Sequence, residues 1–104
     1  MQRVAFTMRL KPGCEAEYRK RHDEIWPELS RKLREAGVSD YSIFLDSETL
    51  TLFAVQKRAE SNTAHLLPQD AVVRRWWDYM ADLMETHPDH APVCRPLAEV
   101  FHLD

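Results

Sequence analysis

The order of local patterns along the chain, strand, helix, strand, strand, helix, strand, predicts an α+β fold. It is the ferredoxin-like βαββαβ arrangement, an antiparallel sheet with its helices on one face. Three observations carry that prediction. Val4, Phe6, Met8 and Leu10 alternate with Ala5, Thr7 and Arg9 at a period of two. Two β-rich runs, Tyr41–Leu45 and Leu50–Gln56, are separated only by Asp46-Ser-Glu-Thr49, a link short and polar enough for a hairpin. Two further stretches carry apolar residues at steps of three and four, the spacing of one helical face.

The first strand ends at Lys11-Pro12-Gly13, which has turn chemistry. A helix is predicted from about Cys14 to Ala36, with Gly37 where a left-handed C-terminal cap belongs. Its inward stripe reads Tyr18, His22, Ile25 or Trp26, Leu29 and Leu33, leaving Lys20, Arg21, Glu24, Glu28 and Arg31 on the solvated side. Pro27 has no N–H to give the carbonyl of Asp23 and pushes Trp26 away from helical dihedrals. A kink, or two short helices meeting near Trp26, follows, and it opens space beside His22.

In the hairpin, alternation puts Tyr41, Ile43 and Leu45 on one face of the second strand, and Ser42, Phe44 and Asp46 on the other. Ala59 to Leu67 holds a short helix closed by Pro68. Asp70 is a good N-cap for a strongly helical run to Met84, with Val72 or Val73, Trp76, Met80 and Leu83 or Met84 inward. Thr86 to Pro96 contains Pro88, Pro92 and Pro96, so it is irregular and locally stiff, the kind of segment that forms lids or site walls. Leu97 to Leu103 alternates again and reads as the last strand.

The totals bound the function classes. A chain of 104 residues fits one domain, and 44% hydrophobic with 30% charged residues is an ordinary globular composition. The net charge of −3, with basic and acidic residues interspersed, argues against a nucleic-acid surface. Two glycines exclude a Walker loop and a dinucleotide fingerprint. Arg3 and Arg9 leave an apolar N-terminal run too short for a signal peptide or membrane span, and a cytoplasmic location is expected. Cys14 and Cys94 form no close-spaced pair and read as free thiols.

The residues aimed at the space between helices and sheet are Tyr18, His22, Tyr41, Trp76 and Trp77. Two readings stand for them: an aromatic core around a satisfied histidine, or a site. Flat aromatic faces pack on the C–H side of a sugar ring while their O–H and N–H groups bond its hydroxyls, and a histidine exchanges protons near neutral pH. His87-Pro-Asp-His90 has metal-like spacing but no third ligand nearby, and neither thiol has a catalytic motif. Asp78 and Asp82 read as a wet helical face. Phe53 and Val55 face opposite to Leu52 and Ala54, so a central strand is apolar on both sides while the helices cover one. A homodimer with sheets back to back is therefore predicted.

The motif Tyr18-x-x-x-His22-Asp-Glu-Ile-Trp-Pro-Glu-Leu29, with Arg75-Trp-Trp-Asp-Tyr-Met80, Asp40-Tyr-Ser-Ile-Phe-Leu-Asp46 and the ending Glu99-Val-Phe-His-Leu103, resembles the L-rhamnose mutarotases over nearly the whole chain. The resemblance implies a dimeric α+β barrel enzyme that interconverts the α and β anomers of L-rhamnose without metal or organic cofactor. It implies His22 as proton donor and Tyr18, Tyr41, Trp76 and Trp77 as sugar-binding residues, and leaves the base open among Tyr18, an aspartate and a water. The stretch from Asn62 to Ala71 departs from the family by lacking a tryptophan. Two other functions fit the same fold: a cofactor-independent oxygenase or isomerase, and a non-catalytic regulatory domain that binds a small ligand.

Overall fold

The computed structural model describes residues 1–104. Its elements are β1 (Gln2–Arg9), α1 (Glu15–Asp23), α2 (Pro27–Glu35), β2 (Val38–Asp46), β3 (Thr51–Arg58), a 3₁₀ turn (Ala64–Gln69), α3 (Ala71–Met80) and β4 (Arg95–Leu97). The four strands pair antiparallel in the order β2-β3-β1-β4, the ferredoxin-like sheet.

Pro27 divides the first helical stretch. Trp26 is extended (φ −61°, ψ 129°) and Pro27 opens α2 at its first turn, where a missing N–H costs nothing. Gly37 ends α2 at φ 91°, donating its N–H to the carbonyl of Arg34. A Cβ there would stand 2.9 Å from that of Asn62, so the position needs glycine for space as well as for dihedral. In the hairpin, Asp46 accepts from the Glu48 N–H and the Thr49 hydroxyl, closing the turn.

Cross-strand register sorts side chains to two faces. Leu45, Leu52 and Met8 form one inner row, and Ile43, Ala54 and Phe6 the next. Of these, Met8, Leu52 and Ala54 meet Tyr18 and Leu29 from the helical hairpin and Val72, Val73, Trp76 and Met80 from α3 in one buried cluster, with Phe6 and Ile43 packed against it and Leu45 left exposed. Phe44, Phe53 and Thr7, with Ser42, Val55, Ala5 and Leu97, form the outer rows, which no helix covers.

Four expectations need correcting. β4 stops at Leu97 instead of running to Leu103, and Ala98–Asp104 lie exposed without secondary structure. The alternation there is strand-like, but the chain leaves the ladder after Leu97, opposite Ala5, although β1 runs on to Gln2, and beyond that point Glu99 meets Arg3 through a side-chain ion pair. α3 ends at Met80, although Leu83 and Met84 stay buried through a turn and a bridge to Leu10. The segment after β3 holds no α-helix, and Pro68 lies inside the 3₁₀ turn instead of closing a helix. Arg21 is not solvated: its side chain is 13% exposed, for a reason given below.

Candidate active site

Tyr18 and His22 lie one turn apart on α1, and their rings stack at 4.2 Å between centroids, 28° from parallel. His22 Nδ1 stands 3.0 Å from the carbonyl oxygen of Tyr18. A carbonyl only accepts, so Nδ1 carries the proton and Nε2 is left free for a ligand. Burial lowers the imidazole pKa, outweighing the Tyr18 carbonyl and Asp23, which favour the charged form.

α3 supplies the opposing wall. Asp70 caps it, Oδ1 accepting from the N–H groups of Val72 (2.8 Å) and Val73 (3.3 Å). Two turns on, buried Trp76 sets an edge against His22 at 5.4 Å and against Trp26 at 5.1 Å, both at 86°. Tyr79 stacks on Trp26 at 5.6 Å. Trp77, turned about 100° from Trp76, is half-buried, with the Arg74 guanidinium 6.0 Å from its ring centre.

Tyr41 arrives by a backbone device. The β2–β3 register slips between Ser39 and Ser42, so Asp40 and Tyr41 together stand opposite Gln56, and Asp40 takes φ 47°. Such a bulge re-aims a side chain. The Tyr41 ring stands at the rim, 37% exposed. Enclosure of its hydroxyl, with Cys94 nearby, pushes its pKa up to about 12. Burial, reinforced by Tyr41 and Cys94, raises that of Tyr18 as well. Both phenols stay protonated across the neutral range.

Tyr18, His22, Tyr41, Trp76 and Trp77 all line one cleft of about 1620 Å³ between the helices and the inner sheet face. It exceeds the roughly 300–1,000 Å³ of a small-molecule pocket, because its mouth is wide. Sequence reasoning missed several polar groups along it. Buried Gln56, whose Oε1 accepts from Arg58 at 2.7 Å, lines it from β3, across from the bulge that carries Tyr41. Cys94 faces the phenols, and Glu15, one turn before Tyr18, keeps a buried Oε1 with no partner. The shared helical face of Glu15, Tyr18 and His22 was a signal for the last of these.

Arg21 explains how α1 is held. Its guanidinium donates to the Tyr79 carbonyl (2.6 Å), Asp82 (2.9 Å) and Glu17 (2.8 Å), and lies 4.3 Å from the Tyr79 ring centre. This clamps α1 to the end of α3 beside His22. In the proline-rich segment, His90 pairs with Asp78 at 2.9 Å, and no three His, Cys, Asp or Glu side chains gather as a metal set.

A ferredoxin-like sheet with an imidazole and aromatic rings lining one cleft makes this a small α+β protein with room for a small-molecule ligand. The profile of the L-rhamnose mutarotase family matches residues 3–103, and the chain belongs to that family. An L-rhamnose mutarotase of Jannaschia sp. is 58% identical over 103 residues, 99% of each chain, and one of Bacteroides thetaiotaomicron is 57% identical over 104 residues, the whole of both. The crystal structure of an L-rhamnose mutarotase from Formosa agariphila superposes with a TM-score of 0.93 at 47% identity, covering both chains fully.

Proposed function

We propose that this protein exchanges the α and β anomers of L-rhamnose, with His22 as the proton donor and Tyr18, Tyr41, Trp76 and Trp77 holding the sugar. The observation that carries the reading is the free Nε2 of His22, oriented by the Tyr18 carbonyl in an aromatic cleft. As the ring opens, imidazolium gives a proton to the ring oxygen while the anomeric hydroxyl loses one. The C1–O5 bond breaks to an aldehyde, the carbonyl turns, and closure reverses the transfers.

Both phenols are held protonated, which leaves an aspartate or a water to take the anomeric proton. Tyr18 and Tyr41 act as hydrogen-bond donors, and the tryptophans offer flat faces for the sugar's C–H side. A lowered pKa makes His22 a stronger acid, present in smaller amount at neutral pH.

The working form is a homodimer built on the uncovered outer rows. Phe44 is 63% and Phe53 38% exposed, and each large apolar side chain left wet forgoes roughly 1.5–3 kcal/mol. Free Cys14 and Cys94 suit a reducing cytoplasm.

Saturation transfer between the anomeric protons of L-rhamnose tests the activity. Accelerated exchange is expected. Saturable quenching of tryptophan fluorescence with no acceleration would instead make this a binding domain. Static light scattering at micromolar concentration tests the assembly, and a monomer mass would remove it.

A further inference from the structure

We infer that Gln56 is a specificity-determining residue of the cleft, its side-chain amide donating to the hydroxyl on C3 or C4 of the bound pyranose, the edge of the sugar opposite the anomeric carbon. The inference rests on the mutarotase activity proposed above and deepens it by assigning which part of the sugar is read.

Position 56 interrupts an apolar row. Along the inner face of β3, Leu52, Ala54 and Gln56 follow one another at a period of two and are 1%, 0% and 4% exposed. A glutamine enclosed to that degree costs free energy unless both ends of its amide are bonded, and an apolar side chain there would simply extend the core. One end is accounted for. Arg58, two residues on and on the same face, gives its Nε–H to Gln56 Oε1 at 2.7 Å. A guanidinium has donors and no acceptor, so it fixes which end of the amide is oxygen. Nε2 therefore points away from Arg58, and it donates to no group of the protein. The only side-chain nitrogen or oxygen that is both fully enclosed and unpaired is Glu15 Oε1, so Nε2 is open to the cleft that Gln56 lines.

The place of Gln56 in that cleft says what it meets. The β2 bulge opposite it carries Tyr41, which stands near enough to Arg58 and to Tyr18 for their charges to interact. Tyr18 in turn stacks on His22. The groups thus run from α1 across the cleft to the sheet in the order His22, Tyr18, Tyr41, Gln56. With His22 giving its proton to the ring oxygen, O5 and C1 sit at the α1 end. The sugar then presents C3 and C4, the atoms across the ring from O5 and C1, to the sheet end. Nε2 is a donor only, and a hydroxyl oxygen accepts from it. The bond from Arg58 holds the amide in one orientation before the sugar arrives, so little freedom is lost on binding. A cleft built this way rejects the sugar that lacks the hydroxyl, because the buried amide is then left unpaired.

The test uses the full-length protein with L-rhamnose and three deoxy analogues, lacking the hydroxyl at C2, C3 or C4. The chain has only three glutamines, Gln2, Gln56 and Gln69, so heteronuclear NMR resolves the Gln56 side-chain amide in the unmodified protein. Saturating L-rhamnose is expected to shift it, and the C3 or the C4 analogue, whichever lacks the contacted hydroxyl, to leave it in place. Gln56→Leu should raise KM for L-rhamnose in anomer exchange about tenfold, the loss appearing in KM more than in kcat. KM for the C2 analogue should rise as much, while that for the analogue lacking the contacted hydroxyl stays unchanged. Gln56→Met, of the same length and with no amide, gives the same pattern and replaces the leucine variant if that one does not fold. A Gln56 amide that stays in place while the tryptophan signals move with L-rhamnose overturns the inference and leaves the activity standing. An unchanged KM for L-rhamnose, or an equal rise for it and all three analogues, does the same. Wild-type protein that does not accelerate exchange removes the proposed activity and the inference together.

Discussion

The two faces of the sheet are made by alternate residues of the same strands, yet they differ in what completes them. On the inner face Leu52 and Ala54 are 1% and 0% exposed, covered by helices of the same chain. On the outer face Phe53, between them in sequence, is 38% exposed, and its cross-strand neighbour Phe44 is 63% exposed. Hydrophobicity alone does not separate these faces. What separates them is whether the connection leaving a strand returns a helix to that side, and both crossovers in this fold return to the same one. The inner face has accordingly become core and cleft, and the outer face stays open.

The comparison is broken most severely at the cleft. His22→Ala is expected to slow anomer exchange by about 10²–10⁴-fold, roughly 3–5 kcal/mol in the barrier, with the circular dichroism spectrum unchanged. An exchange rate equal to wild type by saturation-transfer NMR would reject the donor assignment. Leu52→Ala on the inner face should cost about 2–5 kcal/mol in urea unfolding, because a nearly inaccessible side chain leaves a cavity. The outer-face counterpart Phe53→Ala should instead act on assembly, raising the dimer dissociation constant about tenfold while the activity of the remaining dimer persists. Equal effects of the two substitutions on subunit stability would erase the distinction between the faces.

Arg21→Ala should lose about 1–3 kcal/mol of stability through its hydrogen bonds to charged partners and the Tyr79 carbonyl. It should also lower the exchange rate in the folded fraction, since α1 is no longer tied to α3 beside His22. The smallest effect is on pH. The folded-state pKa of His22 lies below its ordinary 6.5, so between those two values the unfolded chain binds more protons. Stability is therefore full above about pH 6.5 and declines as pH falls through that window. Asp82, held low by Arg21, adds a loss of the same sign at lower pH. Exchange moves the opposite way. Donation requires imidazolium, so the rate per folded enzyme rises on acidification from pH 7 and levels below the folded pKa. A rate that falls instead would make His22 the base of ring opening.

Several parts of the site were legible because they follow from helical geometry alone. Tyr18 and His22 four residues apart, Pro27 at the break and Asp70 before α3 are local facts, and the structure realises each one. Trp76 inward with Trp77 beside it follows from the same spacing. The β2 bulge was not legible, because a register slip depends on what β3 offers opposite Ser39 and Ser42. Arg21 lies on the side of α1 that periodicity assigns to water. Only the approach of α3 supplies the carbonyl and carboxylates that take it out of solvent.

By itself the sequence determined the element order, the helix break and the alternation that makes each strand two-faced, since these rest on dihedral preference and the periods 2 and 3.6. Tertiary structure decided where β4 stops, which polar groups line the cleft with His22, and that Arg21 is drawn out of solvent. The physical reason is common to all three: a ladder, a pocket wall and a buried charge each need a second segment at a particular place, and no single stretch of chain contains its own partner.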